Sequence, residues 1–461
     1  LRQTFLAAAL ACVPVMATAA EEQTGAVTTF TLDNGLDAIV IEDHRAPVAV
    51  HMMWYDVGAA DEPPGKSGIA HFLEHLMFKA TDDMEAGEFS RVVEAQGGSD
   101  NAFTSQDYTG YFQRVAADRL GLMMEMEADR MRDLQFDDAD MLTELDVVLE
   151  ERAQRTDSDP GALFSEMRNA SQYLNHPYRI PIIGWQHELE ALTLQDALDF
   201  YRTYYAPNNA TLIVAGDVDP QEVRALAETH YGPLDPTPGL EPRTRPAEPP
   251  QRAPRRLTFT DERVSNPYVM RTYLAPERDA GAQQEAAALT VLAQILGGSS
   301  ATSLMGRTLE QDEGTALYTT AFYDGTSYDD TTFGLVVMPV PGRTLEEAEA
   351  DMDRMIETLL TEGLDPAQLE RIKTQVRASE IYARDSLQGL ARRYGVAVTS
   401  GLNVADVDEW PDLLDNVTEA DVREAARAVF DPNRSVTGYL TRPEPAAVAE
   451  AAPESEIEAT E

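Results

Sequence analysis

The stretch Gly68-Ile69-Ala70-His71-Phe72-Leu73-Glu74-His75-Leu76-Met77-Phe78 holds the residue types with most chemistry in the chain. On a helix, positions i, i+3 and i+4 project from one face, so His71, Glu74 and His75 converge while Phe72, Leu73, Leu76 and Met77 turn toward a core. Two imidazoles one turn apart can bind one zinc ion, and a carboxylate beside them can take a proton from a water the metal acidifies. With 7 His and 80 Asp+Glu in 461 residues, an H-x-x-acid-H pattern arises by chance about 0.02 times in such a chain. Paired surface histidines are therefore a poor explanation. Zinc with a position open to water needs a third protein ligand. Glu144-Leu145-Asp146-Val147-Val148-Leu149-Glu150-Glu151-Arg152 offers candidates. Glu144 and Glu151 lie two turns apart on one helix face, whereas Glu150 is rotated away by about 100°.

The elements around these residues suggest an α+β fold. Helical patterns run from Ile69 to Phe78, Glu88 to Gln96, Ala116 to Leu134 and Asp138 to Gln154. Val48 to Tyr55 reads as a strand, with Val48, Val50, Met52 and Trp54 as its apolar face at period two. Thr193-x-x-Asp196 begins 14 residues before Pro207-Asn208, and Thr418-x-x-Asp421 begins 14 before Pro432-Asn433. Each reads as a Thr-capped helix running into a Pro-Asn turn and a β-rich run, Ala210 to Val214 or Ser435 to Leu440. The constant offset of 225 residues between the two implies duplication. The expected fold is two homologous halves, each a mixed or antiparallel sheet covered by helices on one face. Between Pro233 and Pro254 stand eight prolines, a density that no helix or central strand tolerates. The expected organisation is a zinc-bearing domain over 21–232, a linker over 233–254, a second related domain over 255–441 and an acidic disordered tail over 442–461.

Residues 1–20 read as a secretory signal peptide: Arg2, an apolar stretch from Phe5 to Met16, then Ala17-Thr18-Ala19-Ala20 before Glu21. Export to the periplasm or the exterior is the expectation. A lipoprotein anchor at Cys12 is the weaker alternative, since Ala9 stands where leucine is usual. Cys12 is the single cysteine, so the mature chain has no thiol for disulfides, nucleophilic catalysis or zinc. No run of about 20 apolar residues follows, so no transmembrane segment is expected. The 36 Lys+Arg against 80 Asp+Glu give a formal charge of −44. That balance argues against nucleic acid or anionic membrane as the main partner, since both require a basic surface. It leaves basic peptides or a basic protein as candidates. His44, His51, His176, His187 and His230 read as structural.

His71-x-x-Glu74-His75 has the inverted zincin order, and Glu151 follows His75 by 76 residues. With these spacings the chain resembles the pitrilysin or insulinase-type metallopeptidases, and its size and two-half layout look most like the processing-peptidase branch. Gly97-Gly98-Ser99-Asp100-Asn101-Ala102-Phe103-Thr104-Ser105 and Tyr205-Ala206-Pro207-Asn208-Asn209-Ala210 support the resemblance, which runs from about Thr28 to Leu440. It implies one zinc per chain on His71, His75 and Glu151, with Glu74 as general base and Glu144 orienting a ligand. It also implies that substrate adds as a β-strand to the run Asn101-Ala102-Phe103, which without the resemblance reads equally as an ordinary strand after a Gly-Gly turn.

The resemblance further implies an Arg and a Tyr seven residues apart in the second half that grip the substrate backbone. Tyr318 is present, but Gln311 stands seven before it, Glu310 takes the place if one residue is skipped, and Arg307 is out of register. The processing-peptidase branch divides metal site and Arg/Tyr pair between subunits. The expected function is therefore a zinc metalloendopeptidase acting on unfolded peptides, this chain being the zinc-bearing subunit of a heterodimer, or else a homodimer. The alternative is a non-catalytic structural or peptide-binding subunit, which has no need of His71, Glu74, His75 and Glu151 together.

Overall fold

The structure is a computed structural model that describes residues 22–24 and 27–443. The expected signal segment, 1–20, and the tail from 444 onward lie outside the described residues.

Two sheets form. The first has the order Glu22–Thr24, Val27–Thr31, Asp37–Glu42, Ala210–Gly216, Val48–Tyr55, Thr109–Ala116, Ser99–Thr104. The second has the order Arg255–Thr260, Ser435–Thr441, Tyr268–Ala275, Thr331–Pro339, Ala316–Tyr323. Each contains one parallel pairing, Asp37–Glu42 with Ala210–Gly216 and Arg255–Thr260 with Ser435–Thr441. In both, the strand after the Pro-Asn turn is the inserted one, flanked on its other side by an antiparallel neighbour. The two halves thus share one topology, as a duplicated α+β unit requires. Thr193 and Thr418 each accept a hydrogen bond from the amide three residues on, at Asp196 and Asp421, starting the helices Leu194–Tyr204 and Glu419–Val429.

The halves interlock by exchanging a helix. Helices of the first half cover one face of its sheet, packing Phe72, Leu73, Leu76, Met124 and Phe200 on Met53, Tyr55, Leu212 and Val214. The opposite face, Val50, Met52, Trp54 and Ile213, is covered by Ala391, Tyr394 and Ala397 of the helix Leu387–Thr399, which belongs to the second half. In return the first half's helix Pro160–Gln172 lays Phe164 on Leu257, Phe259 and Leu440 of the second sheet. Sequence periodicity identified Val50, Met52 and Trp54 as an apolar face but not its partner. Ala49, Met53 and Tyr55 are equally buried, because this strand is covered on both sides. At about 1.5–3 kcal/mol per fully buried large apolar side chain, these contacts make the halves one folding unit.

The segment from Pro233 to Pro254 is free of helix and strand beyond its opening turn, yet it is pinned. Arg245 reaches Asp107 (2.6 Å) and Asp61 (2.9 Å) of the first half and Asp329 (3.0 Å) of the second. Glu248 accepts from the amides of Leu174, Asn175 and His176.

The exchange requires two glycines. A Cβ on Gly395 would lie 2.0 Å from the Trp54 ring, and one on Gly438 would lie 2.6 Å from Phe164. Gly395→Val is expected to lower unfolding free energy by about 1–3 kcal/mol, read as a lower denaturant midpoint. An unchanged midpoint would show that the Trp54 contact is not tight.

Candidate active site

The helix Ile69–Leu76 starts abruptly because Gly68 takes φ 88°, and a Cβ there would meet Ile183 O and a Leu189 methyl at 2.6 Å. No side chain on Gly68 can cap it. Instead the buried Glu62 carboxyl accepts from the Gly68 and Ala70 amides (2.9 and 3.0 Å), supplying the acceptors that the helix start lacks. Ile69, Phe72, Leu73 and Leu76 are buried, so the opposite face, with His71, Glu74 and His75, opens to a cleft. The helix Asp138–Arg152 packs alongside it, capped by Asp137, which accepts from the Ala139 and Asp140 amides. A wide π-type turn over Ala153–Asp157 follows directly after Glu151 and Arg152.

Glu151 Oε2 lies 3.3 Å from His75 Nε2 and 3.7 Å from His71 Nε2. Ligand atoms about 2.0–2.1 Å from one tetrahedral zinc stand about 3.3 Å apart, so these three atoms fit a shared ion. They are the one His/Cys/Asp/Glu group among the described residues whose ligand atoms gather within 4.8 Å. Burial, with His75 beside it, pushes His71 down to about 4, which leaves its ring neutral and able to ligate at pH 7. The donor set, two imidazoles and one carboxylate, suits zinc.

The surrounding groups hold this trio. Glu144 Oε2 is 3.5 Å from His75 Nδ1, and its other oxygen takes Lys79 Nζ at 2.7 Å. Arg155 Nη1 lies 2.5 Å from Glu151 Oε1, occupying the oxygen that does not face the histidines. Thr104 Oγ1 donates to Glu74 Oε2 at 2.6 Å. Burial lifts Glu74 to about 7, with the Thr104 bond opposing the rise. Of these supports, Arg155 has a sequence signal, standing four after Glu151 on one helix face. Lys79, four after His75, lies just past the end of its helix. Thr104 has none, since its strand meets the metal helix only in three dimensions.

Asn101, Ala102 and Phe103 lie in Ser99–Thr104, the edge strand of the first sheet, which pairs on one side only, with Thr109–Ala116. They line one cleft of about 920 Å³ together with His71, Glu74, His75, Glu144 and Glu151. Phe78, Ile182 and Ile183 add apolar wall. The larger cavity, about 1040 Å³ beneath the linker, contains none of these residues.

Tyr318 does not line the cleft. It sits half exposed on Ala316–Tyr323, the edge strand of the second sheet. Glu310 accepts there from both the amide and the hydroxyl of Thr319, each at 2.7 Å, and Gln311 donates to Ser300 O. Neither residue at the spacing where the resemblance leads one to expect an arginine is free to grip a substrate backbone: Glu310 binds its own sheet edge at Thr319 and Gln311 binds Ser300.

Comparison with known proteins bears on this geometry. Residues 38–185 match the family model described as Insulinase (Peptidase family M16), and residues 191–376 match the one described as Peptidase M16 inactive domain. The chain is 29% identical to zinc protease PqqE of Helicobacter pylori over 423 residues, 89% of this chain and 92% of that one. A solved structure of a protease from Helicobacter pylori superposes with a TM-score of 0.83 at 28% identity, covering 93% of this chain and all of the other. The periplasmic protease PqqL of Escherichia coli shares the fold, with a TM-score of 0.78 at 20% identity over 91% of this chain and 48% of PqqL. Two family models cover most of both halves, and the fold agrees along nearly the whole length: the chain belongs to the pitrilysin/insulinase family, peptidase family M16.

Proposed function

We propose that this chain is a zinc-dependent endopeptidase acting on extended peptides, with His71, His75 and Glu151 as metal ligands and Glu74 as general base. The observation that carries the reading is the convergence of these four residues in a cleft that also exposes an unpaired strand edge. Bound zinc would supply a Lewis acid that polarises the scissile carbonyl and makes water acidic enough to lose a proton near neutral pH. A peptide added to Ser99–Thr104 is held through main-chain hydrogen bonds, which orient its backbone with little regard to sequence. With Oε2 of Glu74 held by Thr104, Oε1 is the atom left to accept the water proton and return it to the leaving amine. Glu144, anchored by Lys79, fixes the His75 ring.

Export to the periplasm is part of the proposal and rests on the pattern of residues 1–20. Among the described residues no helix is long and apolar enough to cross a membrane. A preference for basic peptides finds no support in the cleft lining, where Glu74, Glu144 and Glu151 face Lys79 and Arg155. The heterodimer reading draws support from Gln311 or Glu310 standing where the arginine is expected. The same missing arginine, and the match of residues 191–376 to the model described as Peptidase M16 inactive domain, speak for the non-catalytic alternative.

The purified chain is expected to hold close to one zinc, and Glu74→Gln to keep it while cleavage of an unstructured peptide falls about 10²–10⁴-fold. Zinc retained with full cleavage in that variant would remove Glu74 from the mechanism. Glu144→Gln is expected to weaken zinc binding roughly 10–100-fold in competition with a chelator; unchanged affinity would assign Glu144 no role at the metal. If the missing arginine comes from a partner, the isolated chain cleaves slowly and a family subunit carrying the Arg/Tyr pair accelerates it. Full-rate cleavage by the chain alone would exclude the heterodimer.

A further inference from the structure

The edge strand Ser99–Thr104 has two faces, and the proposed metal site lies on only one. Ala102 packs against the first core and Thr104 holds Glu74, so these two side chains share the metal side. Phe103 points the other way, against Trp54 and Tyr108 (ring centroids 4.9 and 6.0 Å), beneath the helix lent by the second half. On this outer side Arg392 of that helix lies over the Phe103 ring, 4.3 Å from its centroid. Arg114, opposite Ser99 in the neighbouring strand, faces the same way and lines a small cavity with Leu387 and Gln388. Both arginines are exposed, and among the described residues neither forms an ion pair with a carboxylate. The two acids in that cavity's wall, Asp43 and Asp385, lie 2.7 and 3.5 Å from Arg45. Two guanidiniums without a carboxylate partner thus stand on the outer side of a free strand edge.

A peptide added to this edge would run about 4.7–4.9 Å away, with successive side chains pointing to opposite faces. Side chains on one parity meet the metal side, with its Glu74, Glu144 and Glu151. Those on the other parity meet Phe103 and the arginines. We propose that Arg392, assisted by Arg114, selects substrates with an acidic side chain at positions that alternate with those facing the metal site. The inference rests on strand addition at Ser99–Thr104 and deepens the proposed peptidase reading by naming a substrate class. An aspartate or glutamate there accepts charge-assisted hydrogen bonds from the guanidinium, while a lysine is repelled.

The test is a series of fluorogenic peptides with one cleaved bond, carrying Glu, Gln or Lys singly at each successive position. The wild-type chain is expected to prefer Glu over Gln by about two- to five-fold in kcat/KM at every second position only, with the preference fading at high salt. Arg392→Ala should bring the Glu/Gln ratio close to one, Arg392→Lys should keep part of it, and Arg392→Glu should shift the preference to Lys at the same positions. Cleavage by the wild type with no two-residue periodicity, or with a periodicity that Arg392→Ala and Arg392→Glu leave intact, overturns this inference alone. Failure of the zinc-loaded wild type to cleave any peptide of the series, both alone and with a family subunit carrying the Arg/Tyr pair, overturns the peptidase reading and this inference with it.

Discussion

The structure depends on one exchange: each half covers the outer face of the other's sheet with a single helix. Trp54 seated against Gly395 and Phe164 seated against Gly438 are its closest points. A sheet with helices on one side only leaves half its apolar surface in water, and the outer faces here are covered by helices from the other half. The exchange solves this for both sheets at once and fixes the orientation between halves without any flexible joint. The proline-rich segment adds to it through Arg245, whose guanidinium is nearly inaccessible and bridges acids of both halves. Such a buried network is costly to break, since losing one partner strands the others without water.

The exchange also decides where chemistry can occur. Strands in the middle of the sheets are paired on both edges and covered on both faces. Each large sheet has two edge strands, and Ser99–Thr104 and Ala316–Tyr323 are the corresponding ones of the two halves. An open edge is a hazard for self-association, and the two halves treat it differently. In the second half Glu310 occupies the free Thr319 amide. In the first half the edge borders the cleft with His71, His75 and Glu151, which suits a strand meant to pair with something extended.

How much of this the sequence reveals follows from the distance over which each feature acts. His71, Glu74 and His75 are legible because one helical turn brings them together. Glu151 required the family resemblance, because spacing along its helix cannot say which neighbour that helix packs on. The helix starts at Thr193 and Thr418 are legible because a capping box is local. Trp54 was legible as part of an apolar face, but the helix that covers it lies more than 300 residues later, and no periodicity encodes that pairing. Thr104 and Lys79 were missed for the same reason: their partners are set by packing between elements.

The acidic balance takes on a definite shape once the cations are located. Lys66, Lys79 and Lys373 are the only lysines, so arginine carries nearly all of the positive charge. Four of the arginines are committed to buried junctions: Arg130 with Glu127, Arg152 with Glu166, Arg271 with Glu349 and Asp353, and Arg245 with its three acids. A guanidinium suits such places because its fork of five donors can satisfy two carboxylates at once and stays charged when buried. Each of these junctions takes in at least as many acids as arginines, so the pairing does not create the excess: the −44 is set by composition, and among the described residues few acids are buried, which leaves most of them for the surface. Among the exposed arginines outside such pairs, Arg114 and Arg392 stand beside an open strand edge of the first half. A guanidinium without a carboxylate partner there places a local positive charge against an acidic background, beside the strand a substrate would join.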